Sequence, residues 1–131
     1  MQILNPPGWP RPKGYANGIV AEGRTVFVAG QIGWNADGVF VSDNIVDQVR
    51  QALENTIAIL AEAEAGPEHI ARMTWYVTDK REYVDNIPTI GTVWREVMGR
   101  NFPVMSVVQV VALIEDRARV EIESTAVVPP R

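Results

Sequence analysis

Two glutamates near the C-terminus are the residues best suited to acid–base chemistry. Glu121 and Glu123 alternate with apolar residues in the segment Val120-Glu121-Ile122-Glu123, and side chains two positions apart on a strand point to the same face. Such a strand would present carboxylates on one side and aliphatic groups on the other. Because buried acids often mark functional sites, this acidic side is the first candidate for a site.

Most other catalytic arrangements lack the residues that they need. The chain has no cysteine, which removes thiolate nucleophiles and cysteine-based metal sites. Its single histidine, His69, follows Gly66-Pro67-Glu68 in a turn, so a Ser-His-Asp triad or a histidine zinc site would depend on that residue alone. The stretch Gly14-Tyr15-Ala16-Asn17-Gly18 lacks the spacing of a phosphate-binding loop.

Length and charge limit the class of protein. The 131 residues, 47% of them hydrophobic, suffice for one domain spanning 1–131 and leave no room for a second. A net charge of −4 and a pI near 5.0 without clustered Lys or Arg disfavour a nucleic-acid partner. No apolar run is long enough to span a bilayer, and no basic segment precedes an apolar run near residue 1, as it would in a signal peptide. We therefore expect a soluble, cytoplasmic protein with neither membrane nor nucleic-acid partners, in keeping with the lack of cysteine.

The first 38 residues are predicted to contain only extended segments and turns. Prolines throughout residues 1–13 predict an extended arm rather than a regular element. Residues 19–21 and 25–29, separated by Glu22-Gly23-Arg24, are interpreted as a short hairpin. Asn35-Ala36-Asp37-Gly38 then predicts a further turn.

Two amphipathic helices flank a strand in the middle of the chain. Apolar residues recur with a 3.6-residue period over 44–65 and again over 87–98. Ser42 or Asp43 would cap the first helix. Residues 70–77 are rich in β-forming types and are predicted to be a central strand.

Residues 102–127 resemble two long strands joined by a charged turn. If they pair antiparallel, one face would hold Val107, Gln109, Val111, Glu121, Glu123 and Thr125. The opposite, apolar face would lie beneath the helices, which predicts an α+β fold with one mostly antiparallel sheet covered on one face by two helices. The acidic face would then need cover from other subunits, so we expect an oligomer.

The chain resembles the Rid family, also called YjgF/YER057c/UK114, along nearly its whole length. The matching pieces are, in order, Gly14-Tyr15, Val28-Ala29-Gly30-Gln31-Ile32, Gln48, Gln51, Leu53, Asn55, 73–77, Asp79, Phe102-Pro103 and Val120-Glu121-Ile122-Glu123. The resemblance implies a chorismate-mutase-like fold and a homotrimer with small-molecule pockets between subunits. It also implies hydrolysis of enamines and imines to a keto acid and ammonia, with no cofactor and no metal.

The resemblance fails at the family's substrate clamp. The signature Pro-x-Arg reads Pro103-Val104-Met105 here, and methionine cannot make the bidentate contact of a guanidinium with a carboxylate. Losing that contact should weaken binding by at least about tenfold. The ungapped match also puts Pro88 where the family often has a pocket asparagine. Lys13, Arg72 and Arg119 of a neighbouring chain stay open as substitute clamps.

Six residues receive a role through the resemblance. Glu121 is the catalytic carboxylate that would hold a water, and the substrate-binding residues are Tyr15, Gly30, Gln31, Met105 and Trp34. Five of the six could instead have a purely structural role. Glu121 could be a strand carboxylate paired with an arginine, and Gly30 could be required by a β-bulge. Core or interface packing is the alternative for Tyr15, Trp34 and Met105.

Two functions follow from this set. The first is an enamine or imine deaminase acting on a planar or apolar, non-standard substrate. The alternative is a non-catalytic, metabolite-binding or chaperone-like trimer that kept the scaffold and lost the chemistry together with the arginine.

Overall fold

The computed structural model describes every residue from Met1 to Arg131. The strands are β1 Gln2–Leu4, β2 Gly18–Val20, β3 Arg24–Gln31, β4 Ile70–Val77, β5 Val104–Gln109 and β6 Val120–Val128. The helices are α1 Ile45–Ala61, α2 Lys80–Asp85 and α3 Ile87–Met98, with a 3₁₀ turn at Pro67–His69. None of the helices combines the length and hydrophobicity needed to cross a bilayer.

The main sheet has four strands in the order β3-β6-β4-β5. β6 is antiparallel to both of its neighbours, whereas β4 and β5 run parallel. β1 and β2 form a separate two-stranded sheet. The α+β class and the largely antiparallel sheet are as predicted.

The core lies between the main sheet and the helices α1 and α3. Strand alternation directs one side of β4 and β6 into this core, where Met73, Trp75, Val120 and Ile122 are all at most 1% exposed. The apolar stripe of α1, including Leu53, packs against them. This packing fixes which face of each strand remains free.

The predicted strand 70–77 and helix 87–98 are confirmed at both ends. The first helix is shorter than predicted and ends at Ala61, because the chain turns at Glu64, whose φ is +56°. Asn44, rather than Ser42 or Asp43, caps this helix, since its side chain accepts a hydrogen bond from Val46 N at 2.8 Å.

The predicted pairing of the last two strands is wrong. β4 lies between β5 and β6 and pairs with both. The segment that joins β4 to β5 contains α2 and α3 and therefore allows a parallel pair, which a tight turn cannot make. As a result Val107 packs against the core on the helix side, and its predicted grouping with Glu121 and Glu123 is wrong.

The predicted N-terminal hairpin is also wrong. β2 pairs with β1 from the proline-rich arm, while β3 pairs with β6. Gly23 lies between β2 and β3 with φ +148°, and a Cβ there would come within 2.8 Å of the Val128 carbonyl carbon. The chain therefore needs glycine at this point to enter β3 beside the end of β6.

One face of the main sheet, called the open face below, carries no helix. It presents Phe27, Arg72, Thr74, Tyr76, Ser106, Glu121, Glu123 and Thr125. Phe27 is 79% exposed on this face. The expected uncovered acidic face is therefore present, while the oligomer that would bury it stays a prediction.

Candidate active site

An aromatic cleft of about 460 Å³ opens at the β5 edge of the sheet, on the helix side. Nine of its thirteen lining residues are hydrophobic. The lining consists of Lys13, Gly14, Tyr15, Trp75, Tyr83, Ile87, Ile90, Gly91, Trp94, Arg95, Phe102, Met105 and Val107. Its size and largely apolar lining are typical of small-molecule sites.

The N-terminal arm brings Tyr15 to Met105. Ala16 N donates a hydrogen bond to the Pro103 carbonyl at 3.0 Å, and Ala16 forms an isolated parallel bridge with Val104. Tyr15 is 41% exposed, so it is not a core residue. Both predicted residues thus line one cleft, Tyr15 from the arm and Met105 from β5.

Aromatic rings form the inner wall of the cleft. The Trp75 and Trp94 rings lie 6.1 Å apart, and Trp94 stacks on Phe102 at 6.3 Å with an interplanar angle of 13°. Tyr83 meets Trp75 edge to face at 6.3 Å, and burial raises the pKa of the Tyr83 hydroxyl. This wall suits a planar ligand.

Two cations line the cleft and no acid does. Lys13 and Arg95 are its only charged residues, and neither forms an ion pair within the chain. The single hydrogen bond of the Arg95 side chain goes from Nη2 to Thr92 Oγ1 at 3.4 Å. The cleft therefore presents unneutralised positive charge.

The other two cations considered as clamps lie elsewhere in the chain. Arg72 is on the open face, and Arg119 Nη1 donates to Glu82 Oε2 at 2.8 Å. Arg95 was missed because α3 was interpreted only through its apolar stripe. The sequence does contain a pattern that places Arg95 near the apolar residues, since Ile87, Gly91 and Arg95 are spaced four residues apart and therefore share one helix face.

Glu121 lies on the open face against Gly30. A Cβ at position 30 would come within 2.8 Å of Glu121 Cγ and would overlap the carboxylate. Gly30 falls in the β-bulge between Val28 and Gln31. The bulge predicted at this glycine is therefore present, and Gly30 also lies close to the Glu121 side chain. Glu121 is half-buried and makes no hydrogen bond or ion pair within the chain.

The carboxylate of Glu123, by contrast, already has a hydrogen-bond partner within the chain. It accepts a hydrogen bond from Tyr76 Oη at 2.7 Å, and this bond is the main reason that the pKa of Tyr76 is raised. Both residues line a polar depression of about 470 Å³ on the open face. Of the two alternating glutamates, only Glu121 keeps a free carboxylate.

Met105 and Glu121 lie on opposite faces of the sheet. On β4, Met105 pairs with Met73, which faces the helices, and Glu121 pairs with Tyr76, which faces away from them. One chain therefore does not bring the predicted cleft residues and the predicted carboxylate to one small ligand.

Comparison with known proteins identifies the family. The family model for Endoribonuclease L-PSP matches residues 10–128. The chain belongs to this family. A Dermatophagoides farinae protein named 2-iminobutanoate/2-iminopropanoate deaminase is 31% identical over 128 residues, covering 97% of this chain and 96% of the relative.

Solved structures agree with this assignment. The Yersinia pestis Rid-family protein YyfB, of unknown function, superposes with a TM-score of 0.85 at 28% identity, covering 97% of this chain and 98% of the other. E. coli TdcF with bound serine gives a TM-score of 0.69 at 30% identity, covering 98% and 99% of the two chains. The Rid fold predicted from the resemblance is confirmed.

Three amides that carried the Rid resemblance hold the loops around the sheet. Gln48 Nε2 donates to the carbonyls of Ser42 and Arg117, both at 3.0 Å, and its Oε1 accepts from Arg119 N at 2.8 Å. Asn55, which accepts a hydrogen bond from Gln51, anchors the loop that follows β3. These residues position the strands and lie outside the aromatic cleft.

Two of the predicted substrate-binding residues, Gln31 and Trp34, do not line the aromatic cleft of this Rid-family chain. Trp34 packs on Phe40 at 6.0 Å, and its carbonyl accepts a hydrogen bond from Asn55 Nδ2 at 2.8 Å. Gln31 Nε2 donates to the Ala29 carbonyl at 3.1 Å. No group of three or more His, Cys, Asp or Glu side chains is arranged to hold a metal ion.

Proposed function

We propose that the protein is an imine or enamine hydrolase that releases ammonia from a 2-imino acid. The observation that carries the proposal is the half-buried, unpaired carboxylate of Glu121 lying against Gly30. Relatives at about 30% identity named for 2-iminobutanoate and 2-iminopropanoate deamination support this reaction. The serine bound to E. coli TdcF supports a ligand that carries a carboxylate.

The reaction adds water across a C=N bond. Glu121 would accept a proton from water as the water oxygen bonds to the imine carbon, and would pass that proton to the imine nitrogen, giving a carbinolamine. The C–N bond then breaks as Glu121 transfers the hydroxyl proton to the leaving nitrogen, so that ammonia leaves and the carbonyl of the keto acid forms. The backbone of Gly30 and the hydroxyl of Tyr15 would hold the substrate during this exchange.

We further propose that each site is built from two chains of a homotrimer. A neighbouring subunit seated on the open face would bury Phe27 and would bring its aromatic cleft to Glu121. This arrangement accounts for the opposite orientations of Met105 and Glu121 within one chain. It also supplies the cover that the sheet lacks.

Mixing two defective variants tests the shared site. Tyr15→Ala and Glu121→Gln should each be nearly inactive alone, yet co-assembled trimers should recover about a quarter of the sites, those with Tyr15 from one chain and Glu121 from its neighbour. Ammonia release after joint refolding measures the recovery. No recovery, or a folded monomer in sedimentation, would remove the shared site.

Met105 favours the alternative of a non-catalytic binding trimer, because the family's usual cationic clamp is absent from this position. Such a protein would bind carboxylate ligands in the aromatic cleft without releasing ammonia from any imine. If the wild-type protein binds carboxylate ligands but releases no ammonia from any 2-imino acid, this second function would therefore replace the hydrolase proposal.

A further inference from the structure

We propose that Arg95, with Lys13 as a second cation, is the carboxylate clamp of this chain, and that its ligand is an aromatic 2-imino acid or the corresponding enamine. This inference rests on the function proposed above and names the substrate class of that site. It moves the clamp from β5, where Met105 stands, to α3.

The charge distribution is the first support. The chain has 16 acidic residues against 12 Lys and Arg, yet the aromatic cleft contains Lys13 and Arg95 and no carboxylate. Neither cation is neutralised by an ion pair. Two unpaired cations in a partly apolar cleft favour an anionic ligand.

The position of Arg95 on α3 is the second support. A Cβ at Gly91 would lie 3.8 Å from Arg95 Nη1, so the guanidinium lies over the glycine one turn earlier, where no side chain blocks it. Its one hydrogen bond, to Thr92 Oγ1 at 3.4 Å, is long. Most of its donors thus stay available for a bidentate contact with a carboxylate.

The aromatic wall defines the rest of the ligand. Trp94 stacks on Phe102 and lies beside Trp75, and Met105 adds a flexible apolar surface in place of a guanidinium. A short aliphatic acid would leave most of a cleft of about 460 Å³ empty. An aromatic side chain would pack against this wall while its carboxylate reaches Arg95.

Three stable probes separate the two contributions in titration calorimetry with the wild-type protein. 3-Phenylpropanoate offers both the ring and the carboxylate, 3-phenylpropanamide only the ring, and butanoate only the carboxylate. We expect the first to bind about tenfold or more tightly than either of the others. Its binding should also weaken as ionic strength rises.

Substitutions of Arg95 then test whether this residue binds the ligand carboxylate. Arg95→Gln should weaken 3-phenylpropanoate binding about tenfold and leave the amide unchanged, and Arg95→Lys should recover part of the loss. Arg100→Gln is the matched control, because Arg100 is exposed just beyond the same helix, has no ion pair and lies outside the cleft. Equal binding of acid and amide, or an unchanged affinity in Arg95→Gln, would overturn the inference.

Failure of this inference is distinguishable from failure of the hydrolase proposal. Arg95-dependent binding of 3-phenylpropanoate without ammonia release from either the imine of phenylpyruvate or 2-iminopropanoate would leave the clamp standing and remove the hydrolase. Ammonia release from 2-iminopropanoate that is unaffected by Arg95→Gln would leave the hydrolase standing and remove the clamp.

Discussion

The side chain of Glu121 occupies the space that a side chain at position 30 would fill. A Cβ at Gly30 would lie within 2.8 Å of Glu121 Cγ and overlap the carboxylate. The β-bulge that contains Gly30 therefore determines where this carboxylate lies. The two residues form one structural unit, and changes at position 30 should act through position 121.

Gly30→Ala should displace the Glu121 carboxylate. A shift of about 1 Å in a catalytic group reduces the rate by as much as 100-fold, so kcat for ammonia release should fall by about tenfold to 100-fold. Ala29→Ser, an exposed change at the adjacent position, is the control. Steady-state kinetics with unchanged circular dichroism would check this, and a normal kcat in Gly30→Ala would show that the close approach has no catalytic role.

Glu121→Gln should remove the proposed proton acceptor without disturbing the fold. General-base catalysis contributes about 10²–10⁴ in rate, and we expect a loss in that range in kcat. Glu123→Gln is the matched control on the same strand and face, since the amide oxygen can still accept the Tyr76 hydrogen bond. Equal rates in the two variants would contradict the role of Glu121.

Met105→Arg should extend activity to small aliphatic 2-imino acids. The new guanidinium would enter the aromatic cleft that Met105 lines and gain a charged hydrogen bond to the substrate carboxylate, which is worth about tenfold in kcat/KM. Ala61→Arg puts the same group at the exposed end of α1, outside the aromatic cleft and the open face, and should give no gain. Without a gain in Met105→Arg, the cleft must differ from the family pattern at further positions.

The pairing of the last strands shows what periodicity leaves open. Alternation in Val120-Glu121-Ile122-Glu123 correctly assigned the two faces of β6, because burial depends on the strand itself. It did not identify the neighbouring strand, and β4 occupies the place expected for β5. Strand neighbours depend on long connections through α2 and α3, which leave no local pattern in the sequence.

The candidate site shows a similar division. Tyr15 and Met105 were predicted to share a pocket, and they line one cleft. Arg95 was overlooked because helix periodicity directs attention to the apolar stripe, whereas this cation lies at its border with Ile87. The short helix α2 was not predicted because six residues do not contain a full amphipathic repeat.

Two tyrosines should make stability fall at alkaline pH. The hydrogen bond to Glu123 raises the pKa of Tyr76, and burial raises that of Tyr83, both above the ordinary value of 10.0. Because the folded state keeps these protons longer than the unfolded state, their contribution is complete below about pH 10 and is lost as pH rises through the folded pKa values. Urea unfolding from pH 9 upward, compared between wild type and Tyr83→Phe, should show a shallower loss in the variant.

Gln48→Leu should destabilise the fold, although Gln48 lies outside the aromatic cleft. Gln48 is 1% exposed, and its amide bonds the carbonyls of Ser42 and Arg117 and the backbone N–H of Arg119. Leucine would leave these backbone groups without their side-chain partner, at a cost of about 1–3 kcal/mol for each group that stays buried. We therefore expect a loss of about 2–4 kcal/mol in the free energy of unfolding, measured by urea denaturation.

Gln51→Leu is the matched control for that measurement, because Gln51 is only half-buried on the same helix and its amide makes one hydrogen bond, to Asn55. Gln51→Leu should lower the free energy of unfolding by about 1 kcal/mol. Equal effects of the two substitutions would mean that the loop leading into β6 is held by its own packing and ion pairs, such as Arg117 with Asp43. In that case the position of Glu121 would depend on β3 and β4 alone.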